Sequence, residues 1–261
     1  MKLDYSLTEV TPYINWIYFF HAWGTSNMPH QDKEHLKAEA EERLHRYADR
    51  YQTHALFMLT EAHNEGDDII TADGVRIPCL RQQQADSQFL SLADYVTPQY
   101  PRIGVFAATV DHGMETDFDA DPYEKMMMQL LADRLAEATA ERMHEVVRKT
   151  HWGYAPDEAL TIHEMLNEQW QGIRPAVGCP SLPDTSLNFV LDQLLGFHQI
   201  GIRLTESGAM KPHASVSGLM IAHPEARYFT VGKIGEDQLS DYAHRRGIPV
   251  ELMRKFLGGN L

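Results

Sequence analysis

Ala55-Leu56-Phe57-Met58-Leu59 is an unbroken apolar run of strand length, and this run and the residues after it decide the fold class. Asn64-Glu65-Gly66-Asp67-Asp68 is typical of a turn, and Asp68-Ile69-Ile70-Thr71 predicts a strand that returns beside the first. Two more strands are predicted at residues 75–80 and 103–110. Because these strands cluster along the chain instead of being separated by helices, they predict an antiparallel sheet.

The spacing of apolar residues predicts helices on either side of this cluster. One covers residues 32–51, and the longest covers residues 122–150. Strands and helices do not alternate strictly, so the predicted fold class is α+β rather than a doubly wound α/β sheet. The other predicted helices are 161–170, 186–195, 237–246 and one that begins at Pro249, and the other predicted strands are 201–205, 214–222 and 227–234.

Composition limits the class of protein. The 261 residues are 43% apolar and carry a formal net charge of −14. Such a charge repels phosphate backbones, so nucleic acid is not an expected partner. No apolar run approaches the roughly twenty residues of a membrane span, and the first residues lack the apolar core of a signal peptide. We therefore expect a cytoplasmic protein that has no membrane partner.

The common motifs for metal and phosphate binding are missing from the sequence. Cys79 and Cys179 are too far apart for a zinc knuckle and too few for a disulfide framework. His163-Glu164 begins a His-Glu-x-x-His pattern, but Asn167 stands where the second histidine would be. There is no Gly-x-Gly-x-x-Gly sequence and no P-loop. We predict that the protein has no metal site.

Residues 171–183 contain three prolines and two glycines, which predicts an irregular but rigid loop. Arg174 lies inside this loop, and its planar guanidinium suits a carboxylate bound by two hydrogen bonds. One interpretation is a pocket for a small zwitterion or a nucleotide-like molecule. The other is a surface connection in which Arg174 forms an ordinary ion pair, and the motif chemistry alone favours this second interpretation.

Segments along nearly the whole chain resemble the activation domain of cobalamin-dependent methionine synthase, and they occur in the order found in that family. They include Tyr13-Ile14-Asn15-Trp16, Leu131-Ala132-Asp133-Arg134-Leu135, Trp152-Gly153-Tyr154-Ala155-Pro156, Gln171-Gly172-Ile173-Arg174-Pro175-Ala176, Ala214-Ser215-Val216-Ser217-Gly218 and Asp241-Tyr242-Ala243. A single match of this kind would be weak, whereas about a dozen in series are specific.

The resemblance implies a single C-shaped α+β domain that covers residues 1–261, with an antiparallel sheet, surrounding helices and a nucleotide site on the concave face. It implies S-adenosylmethionine as the ligand. The implied activity is reductive methylation of cob(II)alamin to methylcobalamin, which reactivates a cobalamin-dependent methionine synthase. The chain would then act as a methyltransferase component of that enzyme.

The resemblance also implies partners. The chain has no room for a cobalamin domain, so we expect the cobalamin on a separate methionine synthase chain. Flavodoxin or another one-electron donor is the second expected partner. Flavodoxins and this chain are both acidic, so local basic residues are expected to guide docking. The candidates are Arg142, Arg148 and Lys149 on the longest helix, and His244, Arg245 and Arg246 near the C-terminus.

The resemblance assigns ligand contacts to the loop and to one strand. Arg174 is expected to bind the methionyl carboxylate of S-adenosylmethionine, and Ala176 and Gly178 to give backbone contacts and clearance to its adenosyl part. Tyr228 matches a tyrosine beside the nucleotide, although an aromatic residue that packs on the core would look the same in sequence.

Two glutamates are implied near the sulfonium, Glu137 on the longest helix and Glu168 on the short helix predicted at residues 161–170. A carboxylate beside a sulfur cation is favourable by Coulomb attraction, especially where water is partly excluded. We take these two as the candidate catalytic residues. Taken alone, each could instead belong to a solvated charged face, as Glu141 beside Glu137 suggests.

The chain departs from the family pattern at the expected pocket. Asn15 stands where an aspartate commonly meets the ammonium group of the ligand, so an acceptor remains but its charge is lost. Cys179 replaces a tyrosine, and Thr185 stands where a histidine is usual. These departures motivate an alternative function, a docking module that binds a corrinoid protein without using S-adenosylmethionine.

Overall fold

The computed structural model describes residues 1–25, 27, 29–84 and 88–261, and it combines helices with antiparallel strands. The predicted α+β class with an antiparallel sheet is confirmed. The strands are β1 (Lys2–Ser6), β2 (Gln52–Glu65), β3 (Asp68–Thr71), β4 (Arg76–Pro78), β5 (Arg102–Val110), β6 (Arg203–Leu204), β7 (Met210–Lys211) and β8 (Ser215–Ile221).

The long strand β2 lies at the centre of the main sheet. Along one edge it pairs with β5, from Thr53 opposite Val110 to Glu61 opposite Arg102. Its other edge is shared, because β1 pairs with its first residues and β3 with its last. The sheet order is β4-β3-β2-β5-β8, and each of these pairings is antiparallel. Strands β6 and β7 form a separate hairpin.

The helices surround this sheet, and within the described ranges none combines the length and apolar character needed to cross a bilayer. They are α1 (Leu7–Val10), α2 (Trp16–Ala22), α3 (His30–Arg46), α4 (Gly113–Thr116), α5 (Pro122–Val146), α6 (Ile162–Leu166), α7 (Leu187–Leu195), α8 (Glu236–Arg246) and α9 (Val250–Phe256).

Helix α5 is the longest predicted helix, and its beginning is specified locally. The Asp121 carboxylate accepts hydrogen bonds from the N–H groups of Tyr123 and Glu124, and Pro122 occupies the first turn. At its other end the helix continues into a π-helical turn, Val147–His151, which has wider i to i+5 bonding.

Both faces of the main sheet are buried, and β5 shows this best. Phe106 and Ala108 belong to the apolar cluster that contains Leu131 of α5. Val105 and Ala107 point the other way, into the cluster that contains α7. A strand that is covered on both faces has a continuous apolar sequence, which explains why the period-two alternation of a half-exposed strand is missing here.

The loop predicted from the prolines and glycines runs along the outer edge of β8. Ile173 and Ile221 exchange two backbone hydrogen bonds of 2.9 Å, so part of this loop pairs as a strand would. A Cβ on Gly218 would lie 2.2 Å from the carbonyl oxygen of Pro175. Glycine at this position of β8 therefore permits the close approach of the loop.

The strand predicted at residues 227–234 is wrong, because these residues form neither a strand nor a helix. The loop before α7 occupies the edge of β8 that a further strand would have used. The segment is held instead by single contacts, such as the hydrogen bond of 2.9 Å from the Val231 N–H to the Pro180 carbonyl.

The remaining differences lie at the ends of elements and in short elements. The helix predicted at 32–51 is α3, which begins at His30 and ends at Arg46. The strand predicted at 201–205 is reduced to the two residues of β6. Five of the short elements named above were not predicted from the sequence, since each is too short to show a clear period: β1, α1, α2, α4 and β7.

Candidate functional site

A cavity of about 530 Å³ lies between α5, the loop before α7 and the start of α2. A cavity of this size is within the range of small-molecule sites, which is roughly 300–1,000 Å³. Seven of the eight predicted site residues line it: Asn15, Glu137, Glu168, Arg174, Ala176, Cys179 and Tyr228. Residues far apart in sequence therefore converge on one concave surface.

Arg174 is the principal cationic group of this site. Its side chain is only 8% exposed, and Nη2 donates a hydrogen bond to the Glu141 carboxylate. Nη1 has no hydrogen-bond partner within the described part of the chain. Burial alone would lower the pKa of Arg174, but Glu141 and Tyr228 outweigh that effect and raise it, so the guanidinium stays charged. One donor group of a buried cation is thus available to an incoming acceptor.

Tyr228 is connected to the backbone of the same arginine. Its hydroxyl accepts a hydrogen bond of 3.0 Å from the Arg174 N–H, and its side chain is 38% exposed. Burial of the phenol raises the pKa of Tyr228 to about 12, so the hydroxyl is neutral at physiological pH. Although the segment around Tyr228 is not the predicted strand, this hydrogen bond places the ring at the cavity wall.

Glu137 lies on the face of α5 that lines the cavity. The residue is exposed by surface area, but it lines the concave wall of the cavity, where protein atoms partly desolvate its carboxyl group. This desolvation raises the pKa of Glu137, and the nearby Arg174 and Arg134 only partly oppose the effect. The negative charge of this carboxylate is therefore only partly offset by its neighbours, and a cationic ligand would stabilise it.

Glu168 follows α6 in an unusual backbone conformation. Its φ of 57° lies in the left-handed region, where a residue other than glycine costs roughly 1–2 kcal/mol. Partial burial raises the pKa of Glu168, Glu141 raises it further, and Arg174 opposes both. Strained residues of this kind concentrate at functional sites, and Glu168 also lines the cavity.

Asn15 has a structural role in addition to its place in the cavity wall. Its Oδ1 accepts a hydrogen bond of 3.2 Å from the Ile17 N–H and so caps the beginning of α2. An amide oxygen has two lone pairs, so one acceptor position remains for a ligand. The cap also fixes the direction in which this side chain points.

Cys179 and Gly178 differ in their relation to the cavity. The thiol of Cys179 lines the wall, and its sulfur lies 3.2 Å from the Ser181 hydroxyl. Gly178 is not among the lining residues, and its N–H donates to the Leu182 carbonyl at 2.8 Å. With φ of 92°, Gly178 shapes the turn of the loop, and the backbone contact to a ligand that we expected from it stays a prediction.

The sequence interpretation missed several residues of the cavity wall. Arg134 and Glu141 are two of them, and they lie three residues before and four residues after the predicted Glu137, so one face of α5 carries all three to the site. That spacing was visible in the sequence but is equally typical of a solvated helix face. Tyr13 and Tyr18 also line the wall, but Tyr18 lies in the short helix α2 and Tyr13 just before it, and no period predicts that helix.

One proposed docking residue is excluded by its position. The Arg148 side chain is fully buried, and it binds Glu158 through two hydrogen bonds of 2.9 and 2.6 Å. It therefore cannot guide a partner to the surface. Arg142 and Lys149 remain partly exposed, but both already contact the carboxylate of Glu145.

The arrangement suits a zwitterion that also carries a second positive charge. Arg174 can bind an anionic end, while Glu137, Glu141 and Glu168 surround the same cavity with negative charge. The described residues include no group of three or more metal-ligating side chains that could hold an ion. The charges that line the cavity suit recognition of a ligand by charge and shape.

Comparison with known proteins identifies the family. The sequence model described as "Vitamin B12 dependent methionine synthase, activation domain" matches residues 6–247. A crystal structure described as the MetH reactivation domain bound to AdoHcy is similar to this chain, with a TM-score of 0.92 and 35% sequence identity. That match covers 100% of this chain and 90% of the other. The chain belongs to the family of activation domains of vitamin B12-dependent methionine synthase.

Proposed function

We propose that the cavity beside Arg174 binds S-adenosylmethionine, and that the chain supports reductive methylation of cob(II)alamin to methylcobalamin on a methionine synthase partner. Family membership supports this proposal. So does the related domain that was crystallised with AdoHcy, which is S-adenosylmethionine without its sulfonium methyl group.

The observation that carries the proposal is the guanidinium of Arg174. Its Nη1 is buried, charged and without a hydrogen-bond partner among the residues described, and Arg174 belongs to the wall of a cavity of suitable size. A buried donor that stays unpaired costs roughly 1–3 kcal/mol, more for a charged group. The carboxylate of an amino-acid ligand would satisfy it with a charge-assisted hydrogen bond.

The other residues would orient the ligand. Asn15 keeps one acceptor position for the ligand ammonium group, and Tyr228 and Ala176 would contact its adenosyl part. Glu137 and Glu168 would lower the free energy of a nearby sulfonium by Coulomb attraction. S-adenosylmethionine supplies an electrophilic methyl group when bound, and the contribution of this chain is to hold that group towards the partner.

The proposed partners are a cobalamin-binding methionine synthase chain and a one-electron donor such as flavodoxin. The protein carries a formal net charge of −14, so contact with an acidic donor would depend on local charge rather than on overall attraction. The corrinoid is proposed to lie on a separate chain, and the experiment below supplies it in that form.

Reconstitution tests the proposal directly. Inactive cob(II)alamin enzyme, a reductant and S-adenosylmethionine are combined with and without this chain, and recovery of methionine synthesis is measured. We expect recovery with the wild type and none with Arg174→Ala. Arg46→Ala is the matched control, because Arg46 is an exposed arginine of α3 that pairs with Glu42, away from the cavity.

Titration calorimetry separates the two candidate functions. If the wild type binds no S-adenosylmethionine at millimolar concentration but still binds the corrinoid chain, the docking module is correct and the proposed function is wrong. Full recovery of activity with Arg174→Ala would contradict the role given to Arg174.

A further inference from the structure

Trp170 lies against the arginine on which the proposed function depends, although it does not line the cavity. Its side chain is 7% exposed, and its ring centroid lies 5.8 Å from Cζ of Arg174. The Phe106 ring centroid lies at the same distance from that atom. Two aromatic rings therefore contact one buried guanidinium, and cation–π attraction is strongest where water is excluded.

A second set of contacts holds the indole of Trp170. Cζ of Arg148 lies 4.8 Å from the Trp170 ring centroid, and the His144 ring meets the indole edge-on at 5.3 Å. Arg148 is itself anchored by its two hydrogen bonds to Glu158. The indole thus lies between the end of α5 and the arginine of the ligand site.

The charges of this cluster are balanced without the indole. Arg148 pairs with Glu158, and Arg174 pairs with Glu141. Burial, together with the neighbouring Arg148 and Arg174, holds the pKa of His144 well below its usual value, so His144 adds no third positive charge. Trp170 is therefore not needed to neutralise a charge, and its contribution is the contact that its ring makes with the arginines.

One ion pair does not fix the orientation of a guanidinium. Glu141 holds Nη2, and a contact through one nitrogen leaves the planar group able to rotate about that contact. Contacts with the faces of two rings restrict this rotation. Phe106 is part of β5 and is fixed by the sheet, whereas Trp170 belongs to the loop before Arg174 and depends on its own neighbours.

We propose that Trp170 is a positioning residue, whose indole holds the Arg174 guanidinium in the orientation that leaves Nη1 available to the carboxylate of the ligand. The inference rests on the proposed function, because it requires a ligand that has a carboxylate. It predicts that Trp170 affects the binding of the amino-acid part of the ligand and not the binding of its adenosine part.

Two ligands that differ only in the amino-acid part test this prediction. AdoHcy carries the carboxylate, whereas 5′-methylthioadenosine has the same adenosine and thioether but no amino-acid group. We expect Trp170→Leu to weaken AdoHcy binding roughly tenfold, the loss of a buried cation–π contact. Binding of 5′-methylthioadenosine should stay within about twofold, since it does not use Arg174.

A conservative variant and a matched control sharpen the comparison. Trp170→Phe keeps an aromatic face, so it should retain most of the AdoHcy affinity, with a loss of roughly threefold. Trp152→Leu is the control, because Trp152 is a partly buried tryptophan outside the cavity wall that packs on Tyr154. It should change the affinity for neither ligand. If Trp170→Leu does not fold, the comparison is made with Trp170→Phe.

The outcomes distinguish this inference from the proposed function. Equal weakening of both ligands by Trp170→Leu would show a general structural role, and unchanged AdoHcy binding would show no role, so either result overturns the inference. If the wild type binds no AdoHcy, the proposed function fails instead. The NMR signal of the Arg174 Nε–H then tests separately whether Trp170 holds the guanidinium. In the ligand-free protein this hydrogen should exchange with water faster in Trp170→Leu than in the wild type.

Discussion

The Glu141 carboxylate accepts a hydrogen bond from Nη2 of Arg174 and leaves Nη1 of the same guanidinium free for another acceptor, as far as the described residues show. One nitrogen of the guanidinium therefore binds a side chain of the protein, and the other is left for a ligand. The internal carboxylate keeps the cation charged and in place, and it also competes with any carboxylate that would bind with both nitrogens.

Glu141→Gln tests this competition. The amide keeps a hydrogen-bond acceptor for Arg174 but removes the negative charge, so the free energy of unfolding should fall by about 1–2 kcal/mol. A carboxylate ligand should then bind more tightly, by roughly threefold to tenfold, because it no longer competes with an anion. Calorimetric titration with AdoHcy measures the change. Weaker binding would show instead that Glu141 is needed to hold the guanidinium in position.

Gly218→Ala tests the close approach of the loop to β8. The new Cβ would lie 2.2 Å from the Pro175 carbonyl oxygen, so the loop that carries Arg174 must move away. We expect a loss of about 1–3 kcal/mol in the free energy of unfolding, measured by urea denaturation, and weaker AdoHcy binding. Gly258→Ala is the control, because a Cβ there meets nothing within 4 Å. A stable Gly218→Ala with full affinity would show that the loop position is not limited by this contact.

Glu168→Gly and Glu168→Ala separate the backbone strain from the charge of this residue. Both remove the carboxylate, but only glycine adopts a φ of 57° without strain. The glycine variant should therefore be more stable than the alanine variant by about 1 kcal/mol. Thermal unfolding gives the difference, and both variants should lose affinity for S-adenosylmethionine to the same extent. Equal stability of the two variants would mean that the left-handed conformation is not strained here.

The raised pKa of Glu137 predicts how stability depends on pH. A carboxyl group whose pKa is raised on folding binds its proton more tightly in the folded state, so its ionisation opposes folding. Its contribution to stability falls as the pH rises above the ordinary value of 4.5, and the loss is complete above the raised pKa. Glu137→Gln should therefore be more stable than the wild type at pH 7.5, and this advantage should shrink towards pH 4.5.

Thermal unfolding of both proteins between pH 4.5 and 8 measures this dependence. Glu225→Gln, a change in an exposed turn, is the matched surface control. An advantage of Glu137→Gln that stays constant across this range, or that grows as the pH falls, would contradict the cause given for the pKa shift.

The fold could be predicted where local signals and tertiary structure agree. The turn between the apolar run that begins at Ala55 and the returning strand around Ile69 is itself recognisable in the sequence. The hairpin of β2 and β3 could therefore be predicted. Asp121 and Pro122 mark the start of α5 in the same local way. Residues 227–234 have the composition of a strand, but whether a strand forms depends on a free sheet edge, and the distant loop before α7 occupies that edge.

The residues of the candidate site could be predicted from the resemblance to the family more than from the chemistry of the individual side chains. Arg174 and the loop around it were evident, but Glu141 was taken as part of a solvated face because helix spacing alone does not show what covers that face. Trp170 was not identified, since its importance lies in contacts with Arg148 and His144 that no local pattern reveals.

The π-helical turn at Val147–His151 determines where along this helix a change in length can be absorbed. A π turn accommodates one residue more than a regular helical turn. Loss of one residue within this turn would let it close with regular i to i+4 bonding, and the residues on either side would keep nearly their present directions. Loss of one residue from the regular part of α5 would instead rotate every later helical residue by about 100° around the helix axis. The contact between Arg148 and the indole could not survive that rotation, so a one-residue deletion is expected to be tolerated more readily in the π turn than along α5.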